Sequence, residues 1–168
     1  QMTHLTNFSP EGLLAWLLDQ AIETRLLTPG VPMPTVPLAA RAIGVKEEQI
    51  LKTLLFRDRA GKLARVIACG PTRIEPALLA EIGGLDRPKL AKPEIVLEAT
   101  GWPAGGVAPV GSRISIPTFV DQRVMVWSRV FGGGGTEETL IELAPADIVH
   151  LNDATVVSLT AEPARDLA

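Results

Sequence analysis

The side chains that usually carry covalent or metal chemistry are scarce in this chain: one cysteine, Cys69, two histidines, His4 and His150, and no tyrosine in 168 residues. Lys52 is the most unusual charge. Counting with a period of two along a predicted strand from Ile50 to Arg57 puts it on one face with Ile50, Leu54 and Phe56, an apolar row, and Arg57 on the alternate face. An ammonium in that row must reach water, an anion or a set of carbonyls, because a buried, unpaired charge is strongly unfavourable. It reads either as a lysine snorkelling to an open sheet edge or as one projecting into a ligand cavity.

Backbone chemistry is the alternative to side-chain chemistry. The loop Gly105 to Gly111 offers glycines where main chain can approach a ligand, with Pro109 stiffening the turn. Residues Gly106 to Ser112 come close to a phosphate-binding loop, but lack the lysine before the Ser/Thr, and Pro109 removes an amide donor, which excludes an NTPase. Gly132 to Gly135 reads as a bend or bulge between strands, or as a wall or lid of a small pocket. His4 falls in a tail, His150 near a helix end, and Cys69 on an apolar strand, so no metal site is expected. Asp121 sits at a predicted hairpin turn and reads as structural. Arg57, Arg59, Lys62 and Arg65 gather around the first hairpin, as a solvated turn would have it.

The elements that must position these residues follow from capping and turn chemistry. Ser9-Pro10 starts an amphipathic helix whose apolar spacing runs to Ile22, prolines keep residues 28–34 out of a helix, and Thr35 caps a short helix that ends at Gly44. Strands are expected at 50–57 and 63–69 around the turn Asp58-Arg59-Ala60-Gly61, and helices from Glu75 to Ile82 and from Pro93 to Gly101. A second hairpin is expected from Ile114–Val120 and Val124–Phe131, with Pro117 confining its strand to an edge or bulge. A strand Leu140 to Leu143, a helix from Pro145 and a strand Ala154 to Leu159 complete the chain. Strands and short helices without regular alternation predict an α+β fold with a curled, mostly antiparallel sheet or barrel flanked by short helices.

Composition bounds the rest. At 46% hydrophobic and 21% charged, the chain reads as one globular domain, whose folding should hide about 70% of the unfolded surface without disulfide or metal. A lone cysteine makes a reducing cytoplasm the expected home. The net charge of -3 excludes the global cationic field that holds duplex DNA, so any nucleic-acid contact must be local. The apolar run Leu13 to Leu18 is too short for a bilayer span, no secretory signal is expected, and Gln1 ahead of Met2 reads as a residue preceding the natural start.

Taken in order, several segments resemble the YbaK/ProX/EbsC family of aminoacyl-tRNA editing domains. They are Pro34-Thr35-Val36 with Ala39-Ala40 and Ile43-Gly44-Val45, the run Gln49 to Phe56, Lys89-Leu90-Ala91 with Pro93-Glu94, Thr100-Gly101, the Gly105 to Gly111 loop, and Ile141 to Asp147. The resemblance covers residues 28–159, so that residues 1–27 form an N-terminal helix extension of a single 1–168 domain. It implies a YbaK-like fold and a cofactor-free hydrolase that deacylates mischarged tRNA, typically tRNA(Pro) bearing a small non-cognate amino acid. The aminoacyl-tRNA 3′ end would be its partner, and prolyl-tRNA synthetase a candidate second one.

The resemblance also implies roles. Lys52 would hold the phosphate or ribose of the terminal nucleotide, and the amides of Gly105 and Gly106 would hold the substrate carbonyl. Thr35, Val107, Pro109, Gly111, Gly133 and Gly134 would bind substrate, with Gly132 to Gly135 shaping a size-selecting pocket. Four consecutive glycines followed by Thr136-Glu137-Glu138 depart from close relatives at that pocket. A synthetase pocket separates one methylene by only about 1–3 kcal/mol, so a second, hydrolytic site is useful. The ester is already activated, and orientation of water with amide stabilisation of the oxyanion needs no protein nucleophile; a tRNA hydroxyl can help activate the water. A binding module for the aminoacyl-tRNA 3′ end or for the synthetase, without turnover, is the alternative. With 4% aromatic residues, stacking along a single strand is not expected.

Overall fold

Helices begin and end where capping chemistry directs. The Ser9 side chain accepts the Gly12 amide to start α1 (Pro10–Asp19), and that of Thr35 accepts the Leu38 amide to start α2 (Val36–Ile43). Prolines open α3 (Pro76–Gly83), α4 (Pro93–Thr100) and α5 (Pro145–Asn152), at positions that have no intrahelical amide partner to lose. Left-handed Gly44, Gly84 and Gly101 close α2, α3 and α4. Helix α1 stops at Asp19, short of Ile22, because Gln20 caps it and Ala21 turns to φ 58°. The structure, a computed structural model, describes residues 4–161.

Two sheets result. The first is antiparallel, in the order β1 (Arg25–Leu27), β7 (Leu140–Leu143), β6 (Val130–Gly133). The second has the order β4 (Lys89–Leu90), β2 (Leu51–Arg57), β3 (Leu63–Cys69), β5 (Thr118–Asp121), β8 (Thr155–Val157). Its β2–β3 and β2–β4 pairs are antiparallel, whereas β3–β5 and β5–β8 are parallel. A parallel bridge between Ile50 and Phe131 joins the sheets. The architecture is the expected α+β fold, as two sheets rather than a closed barrel.

The second predicted hairpin is not formed. Pro117 ends the first strand's extension upstream, and only Thr118–Asp121 is strand. Asp121 is fully buried, and its carboxylate takes the Arg123 amide at 3.0 Å and the Leu159 amide at 3.0 Å. Satisfying it folds Gln122–Val126 into a 3-10 helix, and the chain leaves for the other sheet instead of doubling back. The actual second hairpin is β6–β7, with Gly132 and Gly133 inside the strand and Gly134 bonding the Thr139 carbonyl in the turn.

The main core draws on both sheets, with Ile67, Cys69, Ile141 and Leu143 around the fully buried Trp102. Leu13 and Leu17 of α1 are also wholly buried in it. The N-terminal helix is thus part of the core rather than an appendage to it.

Candidate functional site

Strand β2 is paired with β3 along its whole length, but its other edge is held only at the ends. Ile50 bridges to Phe131 at one end, and Phe56 and Arg57 pair with Leu90 and Lys89 at the other. Between them residues 51–55 have no strand on that edge, and the Leu55 carbonyl is taken by the Ala91 amide at 2.8 Å. A cavity of about 210 Å³ lies against this stretch. It is lined by Thr53, Leu54, Leu55 and Arg65 of the sheet, by Leu90, Ala91, Val96 and Thr100 from β4 and α4, and by Ala104, Gly105 and Val107 of the glycine loop.

Most of the residues that line the cavity are apolar. Among the described residues, three buried side-chain polar groups have no partner, and two of them, Thr53 Oγ1 and Arg65 Nη1, belong to residues lining this cavity. Arg65 stands opposite Leu55 in the β2–β3 pair and is 3% exposed, which corrects the expectation of a solvated turn residue. Its Nε donates to Thr118 Oγ1 at 3.0 Å and its Nη2 to Asn152 Oδ1 at 2.9 Å, both neutral oxygens. Burial pulls its pKa down to about 10, which leaves it cationic at pH 7. A buried guanidinium without a carboxylate favours an electron-rich group beside it.

The loop is held rigidly by its own polar groups. Asn152 Nδ2 donates to the Pro109 carbonyl at 2.8 Å, Trp102 Nε1 to the Gly111 carbonyl at 2.8 Å, and the Gly135 amide to the Gly106 carbonyl at 2.9 Å. The Gly106 amide donates to the Pro103 carbonyl at 2.9 Å, so it is committed within the loop and is not a free donor for a substrate carbonyl. Gly105 adopts φ 93°, which favours glycine, and lines the cavity. Strand β6 packs directly on the loop: a β-carbon on Gly132 would stand 2.7 Å from Pro109 Cγ, and one on Gly133 would collide with the Val107 carbonyl.

Of the residues expected at the site, Gly105 and Val107 line this cavity. Pro109 and Gly111 anchor the loop behind it, Gly133 backs the loop from β6, Gly134 lies in the turn against Thr139 rather than on the loop, and exposed Thr35 caps α2. Lys52 stands on the other face of β2 from Thr53, with Leu54 and Phe56 as the alternation requires, and its ammonium donates to the Thr72 carbonyl. Burial lowers its pKa, with a small opposing contribution from Cys69. One of its three N–H donors is used, which leaves two. Burial, with Asp121 and Glu48 nearby, pushes the Cys69 thiol up to about 11 and keeps it protonated. His4 and His150 are exposed, and the described residues contain no metal-binding cluster and no helix long and apolar enough to cross a membrane. Thr53 and Arg65 were not expected here. The available signal was a charged residue inside the otherwise apolar run Leu63 to Cys69.

A family model described as "Aminoacyl-tRNA editing domain" matches residues 31–151. An uncharacterized protein of Bacillus subtilis, YwhH, is 31% identical over 73% of this chain and 77% of its own length. EbsC of Enterococcus faecalis, described as a putative Cys-tRNA(Pro)/Cys-tRNA(Cys) deacylase, is 25% identical over 72% of this chain and 74% of its own. A crystal structure described as a putative trans-editing enzyme for prolyl tRNA synthetase superposes with a TM-score of 0.76 and 28% identity, covering 83% of this chain and 87% of that one.

Proposed function

The chain belongs to the aminoacyl-tRNA editing domain family, and from that premise we propose that it is a trans-editing hydrolase of mischarged aminoacyl-tRNA, acting on tRNA(Pro) that carries a small non-cognate amino acid in the cytoplasm. The observation that carries the reading is the cavity beside Gly105, two of whose lining residues, Thr53 and Arg65, each hold a buried polar atom without a partner. Its volume of about 210 Å³ and apolar lining suit a small acyl group, and the donors suit the ester oxygen on which charge develops. A buried cation disfavours a second one beside it, so the ester carbonyl, rather than the substrate's α-ammonium, turns toward Arg65.

In this reading the Gly105 amide, the Thr53 hydroxyl and the Arg65 guanidinium orient and polarise the ester, and water assisted by a tRNA hydroxyl attacks it. Thr118 and Asn152 hold the Arg65 guanidinium before the substrate arrives, so it needs little reorganisation during the reaction. The free edge of β2 lets an extended substrate cross from the cavity to the other face, where the two remaining donors of Lys52 can hold a terminal phosphate or ribose oxygen. Prolyl-tRNA synthetase is the partner that would supply such a substrate.

The test is a deacylation panel with Ala, Ser, Cys, Thr and 2-aminobutyrate on tRNA(Pro) and on their own tRNAs. Catalytic protein should shorten the ester lifetime most for the small residues on tRNA(Pro). A lifetime lengthened by saturating protein, with no turnover on any substrate, replaces this reading with that of a binding module.

A further inference from the structure

Six of the chain's cationic residues gather at one end of the five-stranded sheet. Arg57, Arg59 and Lys62 lie at the β2–β3 turn, and Arg87, Lys89 and Lys92 lie around β4; all six are exposed, out of sixteen Lys and Arg in a chain of net charge -3. None of the six forms a side-chain hydrogen bond or ion pair among the described residues. The two segments are locked side by side. Arg57 stands directly opposite Lys89 in the β2–β4 register, and the Arg59 amide donates to the Asp86 carbonyl at 2.9 Å.

The carboxylates of residues 57–62 and 86–92 are Asp58 and Asp86. Asp58 interacts electrostatically with Lys62, but its carboxylate is bonded chiefly to the main chain. Its Oδ1 takes the Ala60 amide at 2.9 Å and the Lys62 amide at 2.8 Å, and its Oδ2 takes the Asp86 amide at 3.0 Å. Those bonds, the Asp86 amide foremost, hold its carboxyl below the usual range. Asp58 therefore fixes the shape of the rim. A like-charged cross-strand pair such as Arg57–Lys89 weakens a sheet. An array of exposed cations carried on two locked backbone segments fits a polyanion with several charges better than a single small ion. The array adjoins the cavity, since Leu90 and Ala91, between Lys89 and Lys92, line it.

We propose that this rim docks the phosphate backbone of the RNA whose charged 3′ end enters the cavity, an inference that rests on the editing reading above. Neutralising backbone phosphates releases counterions and gives affinity without base recognition. The rim supplies locally what the acidic chain lacks globally.

The test compares wild type with a double variant, Arg59→Glu with Lys89→Glu. Lys89→Glu sets a carboxylate opposite Arg57, so the fold should keep its melting temperature or gain. Binding of uncharged tRNA should weaken about tenfold or more, and the dependence of log affinity on log salt should become shallower by about one for each phosphate that the variant no longer neutralises. On mischarged tRNA, kcat/KM should fall similarly, while hydrolysis of an aminoacyl ester of the terminal trinucleotide stays unchanged. Equal losses on both substrates, or unchanged tRNA binding and turnover, overturn the proposal; the second outcome assigns the rim to an acidic protein surface. If wild type hydrolyses neither substrate, the editing reading fails, and uncharged-tRNA binding still decides the rim by the same comparison.

Discussion

Lys52 and Thr53 are neighbours in sequence and stand on opposite faces of β2, the first donating to the Thr72 carbonyl and the second lining the cavity with an unpartnered hydroxyl. The unpaired edge of β2 is the place where one ligand could meet both. Each residue can therefore be tested separately.

Thr53→Val removes the hydroxyl while keeping the side chain's shape. An unpartnered buried hydroxyl costs about 1–3 kcal/mol, so the variant should be as stable as wild type or more so. Single-turnover deacylation should nevertheless fall about tenfold, the loss of one donor to the developing charge. A lower melting temperature together with unchanged activity would make the hydroxyl structural.

Lys52→Ala should lower kcat/KM across the mischarged panel, chiefly through KM, if the ammonium holds the terminal nucleotide. It also frees the Thr72 carbonyl, a stability loss of about 1 kcal/mol that thermal denaturation would register. Full deacylation activity in this variant would remove Lys52 from the site.

Gly133→Ala presses a methyl group onto the Val107 carbonyl, and since that neighbour is backbone the loop itself must move. Overpacking of this kind costs about 1–3 kcal/mol, and the displaced wall is the one that carries Gly105. Thermal melts and deacylation should both register the change. Unchanged values in both would mean that β6 does not support the loop.

Glu142 pins β1 to the hairpin, accepting from Arg25 at 2.5 Å and from Arg129 at 2.9 Å. Burial would raise its carboxyl, but the hydrogen bonds and charges of the two arginines hold it below the usual range. A depressed carboxyl gives stability that is complete above its unfolded value, near pH 4 to 4.5, and is lost as pH falls through the folded value. Wild type should thus lose stability below about pH 4.5 more steeply than Glu142→Gln. Acid titrations followed by circular dichroism would show the two curves converging; parallel curves would refute the coupling.

Locally encoded features were legible. Ser9 and Thr35 cap their helices, Gly44 and Gly84 end theirs, and Leu63–Cys69 is a strand with the predicted bounds, because each depends on a few adjacent residues. The family resemblance gave the fold through motifs in order. What failed was long-range. Asp121 reads as a turn residue until Leu159, far along the chain, is seen to share its carboxylate. Arg65 reads as part of a basic hairpin until Thr118 and Asn152 draw it inward. Strand β1 is three residues long and owes its pairing to β7. The alternation placed Lys52 correctly on its face, but could not tell which face the glycine loop would cover.

The way α1 fills the core bears on how the domain can be moved between proteins. The family match begins at residue 31, yet Leu13 and Leu17 are wholly buried, Phe8 packs on Gly101 and on the Trp102 ring, and β1 completes the first sheet. A segment cut at residues 31–151 would also leave behind β8 and Leu159. The unit that can be grafted or fused as an intact fold is therefore longer at both ends than the segment by which the family is recognised.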